Sequence, residues 1–123
     1  MNTSTSPLAR PFPELPAIDG ALPRVARARY KAWDRADLTL ITLDAGTAVA
    51  GVTTQSKCPS PEVEWCRANL PGGRARALVV SAGTANAFTG HKGRAAVDAI
   101  TTKVASHLGC EAEEVFVSAT GVI

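Results

Sequence analysis

Aromatic side chains are scarce, at 5% of the 123 residues. A core built on large rings is therefore excluded, and Ala, Val, Leu and Ile must fill most of it, which favours close backbone packing. Long hydrophobic runs are also missing: no apolar stretch approaches the ~18 residues that a membrane-spanning helix needs. Cysteine is sparse and odd in number, with Cys58, Cys66 and Cys110 far apart and no Cys-x-x-Cys. Residues 1–6 are polar and lack the charged-then-apolar layout of a secretory leader, so reduced thiols and a cytoplasmic location are expected. The two histidines, His91 and His107, have no metal-ligating neighbours in sequence, and neither a metal nor a bound cofactor is expected. Charge of one sign is lacking too. The formal net charge is only +2, and the basic residues Arg10, Arg24, Arg27, Arg29, Lys31 and Arg35 are interleaved with Glu14, Asp19 and Asp34. Such mixing describes a solvated segment rather than a phosphate-tracking arm, so no nucleic-acid partner is expected.

What is present is one domain's worth of chain, with the 46% hydrophobic content of an ordinary globular protein. Residues 1–23 hold five of the eight prolines, Pro7, Pro11, Pro13, Pro16 and Pro23. Because proline fixes φ and removes a donor, this stretch reads as an irregular lead-in, with the folded part over 24–123. Residues 37–43 read as a strand, Asp44-Ala45-Gly46 as a turn and 47–54 as the return strand of an antiparallel hairpin. Neither face of 37–43 is strongly polar, which predicts burial on both sides. Ser60 suits an N-cap, Pro61 the first helical position, and Glu62 and Glu64 the first turn beside the positive helix end. Val63, Cys66 and Leu70 recur at helical spacing, and Pro71-Gly72-Gly73 closes the helix. On this reading Cys66 is a small core residue, since no base is marked beside it.

A short buried strand over 75–81 runs into Ala82-Gly83-Thr84-Ala85-Asn86-Ala87. A second helix is predicted over 92–108, with Val97, Ile100, Val104 and Leu108 as its stripe, broadened by Ala96 and Ala105, and Gly109 as its left-handed cap. Residues 111–114 form a helical turn and 115–118 a strand that delivers Thr120-Gly121. The order β, β, α, β, α, β argues for a layered α/β domain. The loop Ser81 to Asn86 contains neither G-x-x-x-x-G-K-[ST] nor G-x-G-x-x-G, so it reads as a tight turn whose Asn86 side chain bonds nearby backbone rather than as a phosphate cradle. A Thr120-Gly121 turn can aim a hydroxyl and a backbone N–H at one point, as an oxyanion in acyl transfer requires. The apolar Val122 and Ile123 that follow read as the first half of a longer element, which makes a larger enzyme the expected parent.

Three segments carry a resemblance. Gly51-Val52-Thr53-Thr54 with Ser56-Lys57-Cys58-Pro59 and Pro61 to Cys66, then Ala77 to Gly90, then Glu113 to Ile123, together resemble the N-terminal part of the arginine-biosynthesis bifunctional acetyltransferases, also called ornithine acetyltransferases or glutamate N-acetyltransferases. The similarity runs from about Pro7 to Ile123. It implies an α/β sandwich of the self-processing type, of which this is the N-terminal portion. It implies acetyl transfer from N-acetylornithine to glutamate, with acetyl-CoA as a further acetyl donor in some members. It implies a precursor that cleaves itself before a threonine, which becomes the acetyl-carrying nucleophile of a second chain, and a heterotetramer with two chains of each kind. The family's oxyanion-hole Thr-Gly pair matches Thr120 and Gly121. The nucleophile itself lies beyond Ile123. Ser81 and Thr84 depart from the family by standing where Asn is common. Two other readings fit the residues alone: a small non-catalytic α/β binding module, which cooperative unfolding of the isolated chain would favour, and an amidohydrolase or aminopeptidase of similar self-processing fold. A truncated sandwich predicts an unpaired sheet edge, an uncovered apolar face and poor solubility.

Overall fold

The structure, a computed structural model, describes residues 8–11 and 13–123. The parts of the expected lead-in at residues 1–7 and 12 lie outside the described residues. Four strands, β1 (Ala21–Ala26), β2 (Leu38–Leu43), β3 (Ala77–Thr84) and β4 (Val115–Val122), form one sheet in that order. β1, β2 and β3 are antiparallel neighbours, whereas β3 and β4 run parallel. Helices α1 (Pro61–Asn69) and α2 (Gly90–Leu108) complete a mixed α/β unit. Parallel neighbours need a crossover, and α2 supplies it between β3 and β4.

The partner of β2 differs from the sequence expectation. Residues 47–54 do not return as a strand; they contribute only an isolated bridge, Ala48 to Arg74. Ala48, Ala50, Gly51 and Val52 are exposed, so that segment has no apolar face to place on a sheet. β2 pairs instead with β1, which begins inside the stretch expected to be irregular and contains Pro23 opposite Ile41. A proline is tolerated there because β1 is an edge strand and needs no donor on its outer side. The connection from β1 to β2 is tied down by Asp37, 3% exposed. Its carboxylate accepts the N–H groups of Ala28 and, at 2.9 Å, of Tyr30.

α1 begins as its sequence dictates. The Ser60 hydroxyl accepts the Val63 N–H, Pro61 opens the helix, and a 3-10 turn over Leu70–Gly72 ends at left-handed Gly73, φ 67°. Gly109 closes α2 at φ 65°, again left-handed. A 3-10 turn over Ala112–Glu114, with a reciprocal Glu111–Glu114 capping box, leads into β4.

The core is Ala77, Val79, Val97, Ala105, Val115 and Val117, small side chains as the shortage of aromatics requires. Strand alternation and register put Leu38, Leu40, Ala77, Val79, Val115 and Val117 on the face that meets the helices. The α2 stripe is rotated from expectation. Its buried line is Gly93, Val97, Thr101 and Ala105, while Ile100, Val104 and Leu108 flank it half-buried and Ala96 is exposed. Small residues at 93 and 105 let the helix axis come close, which pushes the larger side chains to the flanks. Ile100 accordingly lines an open groove with Leu38, Leu40 and Val79 rather than a closed core.

Candidate active site

β4 is an edge strand, and α1 covers the first half of its edge. Trp65 Nε1 donates to the Val115 carbonyl at 2.9 Å, and Cys66 Sγ donates to the Val117 carbonyl at 3.3 Å. Two outward carbonyls are thus satisfied by side chains instead of by another strand. Burial, the largest influence, pushes the Cys66 thiol pKa up; the bond to Val117 opposes this and Glu62 reinforces it. A thiol held protonated is a donor rather than a nucleophile, so Cys66 has a structural part here.

The second half of β4 carries Thr120 and Gly121. These residues form no turn: both lie within the strand, Thr120 opposite Ala82 and Gly121 opposite Gly83. The sequence expectation of a turn that brings a hydroxyl and an amide to one point is therefore corrected: the two groups project from an extended strand. Glu114 and Val122 turn their carbonyls toward β3, to Arg76 N and Ala85 N, whereas Val115 and Val117 turn theirs outward. That alternation assigns the main-chain groups of Gly121 to the outer edge. The Thr120 side chain is exposed, and its hydroxyl makes no hydrogen bond with the described residues. An unspent hydroxyl next to an outward amide is a pair of donors available to a ligand.

The strand is distorted at this point. Gly121 has φ 139° and Gly83 φ 134°. A Cβ on Gly121 would sit 2.4 Å from the Gly83 carbonyl carbon and 2.6 Å from its oxygen, so the two backbones cross more closely than any side chain permits. On its other side Gly83 lies under the β1–β2 connection, where a Cβ would meet Lys31 Cγ at 3.4 Å and Trp33 at 3.6 Å.

The loop between β3 and α2 fixes this end of the sheet. Ala85 N donates to the Val122 carbonyl at 2.9 Å. Asn86 Nδ2 donates to the Gly93 carbonyl, as its tight-turn reading predicts, and at 2.7 Å to Glu62 Oε1 of α1. Thr89 Oγ1 donates to Asn86 Oδ1 at 2.6 Å. Ser81 is half-buried opposite Ala119, Thr84 is exposed, and both line a cavity of about 180 Å³ with Glu62 and Ala119. Among the described residues no group of His, Cys, Asp or Glu is placed to hold a metal ion.

Sequence reasoning singled out Thr120, Gly121 and Asn86 as candidates; it placed Glu62 only in the first turn of α1 and Gly83 only in the loop from Ser81 to Asn86, and gave Gly93 no part. Glu62 and Glu64 look equivalent in the sequence, yet the former is 8% exposed and the latter faces solvent on Arg94. Gly93 in a helix was the one available signal, since glycine there costs ~1 kcal/mol relative to alanine and needs a packing reason.

Residues 24–123 match the model of the ArgJ family. The chain belongs to the ArgJ family. It is 63% identical over its whole length to the arginine biosynthesis bifunctional protein ArgJ of Zymomonas mobilis, and 52% identical to that of Bradyrhizobium diazoefficiens. It spans 30% of the length of each of these curated ArgJ relatives. Among solved structures, the ornithine acetyltransferase of Mycobacterium tuberculosis, in complex with ornithine, superposes with a TM-score of 0.80 at 34% identity, over 85% of this chain and 57% of that one. The arginine biosynthesis bifunctional protein argJ of Bacillus halodurans gives 0.79 at 25% identity, over 85% of this chain and 55% of that one. The α/β architecture described above is thus that of ArgJ proteins.

Proposed function

We propose that this chain is the oxyanion-stabilising part of an enzyme that moves an acetyl group from N-acetylornithine to glutamate in arginine biosynthesis, with acetyl-CoA as a second acetyl donor. The observation that carries the reading is the Thr120–Gly121 pair on the outer edge of β4, in a chain of the ArgJ family. The ornithine bound in the M. tuberculosis relative supports the substrate class.

In this reading a threonine at the start of a second chain attacks the acetyl carbonyl, and its own α-amine takes the proton. The carbonyl oxygen becomes negative in the tetrahedral intermediate. The Thr120 hydroxyl and the Gly121 N–H hold that oxygen, and such donors lower the barrier because they bind the charged intermediate better than the neutral carbonyl. Collapse leaves the acetyl group as an ester on the threonine and releases ornithine, whose departing nitrogen takes the proton back from the α-amine. Glutamate then attacks the ester through the same intermediate geometry. Two chains of each kind assemble in the cytoplasm as a heterotetramer.

The test is Thr120→Ala in the complete protein. Removing one oxyanion donor is expected to lower kcat by roughly ten- to a thousandfold with little change in Tm. Normal turnover in steady-state assays with N-acetylornithine and glutamate would reduce Thr120 to a residue of the strand.

A further inference from the structure

Glu62 is the second residue of α1, 8% exposed, with one carboxyl oxygen on Asn86. The other, Oε2, is shielded from solvent and has no hydrogen-bond partner among the described residues. An apolar side chain at this place would avoid that cost, so what the carboxylate does must lie in the bond it makes. The positive end of α1 helps to hold its charge.

That bond ends in the loop that clamps the end of β4. Asn86 directly follows Ala85, whose N–H holds the Val122 carbonyl one residue beyond Gly121. Gly93 completes the junction: a Cβ there would lie 1.9 Å from Thr89 Oγ1, 2.6 Å from Asn86 Oδ1 and 2.9 Å from Pro61 Cγ. Helix α1, the β3–α2 loop and helix α2 therefore meet with no spare room. On the far side of Gly121 the strand presses on Gly83. The Gly121 amide is thus set between a backbone crossing and a loop whose position depends on Glu62. Glu62 also lines, together with Ala119, both the 180 Å³ cavity and a cleft of about 280 Å³ at the β4 edge.

We propose that Glu62 is a positioning residue for acyl transfer: through Asn86 it holds the β3–α2 loop, and through that loop the aim of the Thr120 and Gly121 donors. This rests on the oxyanion reading of those two residues. Glu62 touches no reacting atom.

The experiment uses the complete, self-processed enzyme, with N-acetylornithine and glutamate as substrates. Glu62→Ala is expected to lower kcat about tenfold or more while both KM values stay within about twofold, the pattern of a loss felt in the transition state. Glu62→Gln keeps an oxygen that can accept from Asn86 and is expected to recover most of the rate. The double variant Glu62→Ala/Thr120→Ala is expected to lose less than the product of the two single losses, because the part of the Glu62 effect that passes through Thr120 is already gone while the part that passes through the Gly121 amide remains. Unchanged kcat in Glu62→Ala, or multiplicative losses in the double variant, would overturn the proposal while leaving the oxyanion reading intact. If Thr120→Ala itself turns over normally, the oxyanion reading fails first. Should Glu62→Ala not fold, Asn86→Ser, which is too short to reach Glu62, takes its place in the same cycle with the same expected outcomes.

Discussion

Cysteine is the residue type whose environment the structure separates most cleanly. Cys58 is exposed, Cys66 is tied to the Val117 carbonyl, and Cys110 is half-buried behind the end of α2. Burial raises the pKa of both Cys66 and Cys110, with Glu114 adding to the effect at Cys110. The thiolate is the form that attacks a disulfide reagent, so near pH 8 Cys58 is expected to react first, and the other two to lag until the pH rises through their elevated pKa values. Timed labelling with an aromatic disulfide, read by peptide mass, checks the order; equal rates at all three would contradict the burial of Cys66. The sequence marks no base beside Cys66, which points to a core residue rather than a nucleophile. It did not show that the thiol caps a sheet edge, because the carbonyl it serves lies 51 residues away. Thr120 and Gly121 could be singled out as candidate donors for the opposite reason: the chemistry proposed for them is local, and adjacent residues suffice to suggest it.

At the scale of elements, helices were easier to read than strand pairings. The Ser60-Pro61 start, the Gly73 and Gly109 stops and the Glu111–Glu114 turn each depend on residues within a few positions of one another. The partner of β2 depends on which distant segment can offer an apolar face, and β1 was concealed by Pro23 and Arg24 within it and by Arg27 just after it. The stripe of α2 was misaligned because the buried positions belong to the small residues, and periodicity weights the large ones. Gly93 tests this account. By helix propensity alone Gly93→Ala should stabilise α2 by about 1 kcal/mol. The added Cβ would meet the Thr89 hydroxyl at 1.9 Å and Pro61 at 2.9 Å. Overpacking of that kind costs about 1–3 kcal/mol, so the net change is expected to be destabilising. Urea unfolding of the variant decides between the two signs, and a raised midpoint would mean that the α1–α2 junction is looser than described.

For the whole molecule, one sheet face carries both helices, while the other presents Thr39, Ile41, Leu43, Leu78 and Val80, all half-buried, and Val25, 68% exposed. An apolar sheet face that no helix covers among the described residues, buried only at Phe116, is the kind of surface that marks an interface. It agrees with a chain that spans 30% of its curated relatives, whose remaining length must pack somewhere. The intact mass of the protein made from its own locus is expected to show two chains totalling well above 12.7 kDa, the second beginning with threonine. A single 12.7 kDa species would leave the nucleophile unsupplied and favour a non-catalytic binding module. The family was legible from three separated segments in the right order, which together are far more specific than any single motif. The close crossing of β3 and β4 at Gly83 and Gly121 was not, because it joins distant parts of the chain.

The side-chain cover on β4 also gives the protein a built-in optical gauge. It has two tryptophans: Trp33 is 42% exposed, with the Arg35 guanidinium 4.2 Å above its ring, and Trp65 is half-buried with its indole N–H on the Val115 carbonyl. In a Trp33→Phe background the emission comes from Trp65 alone. Its wavelength is expected to move to the red when α1 lifts from the edge, and the move should coincide with loss of near-ultraviolet dichroism. Emission that stays fixed through that loss would show that the indole never depended on the strand. Because β4 continues without a break into Thr120 and Gly121, this one fluorophore reports whether the strand that bears them is in place, with no substrate and no added label.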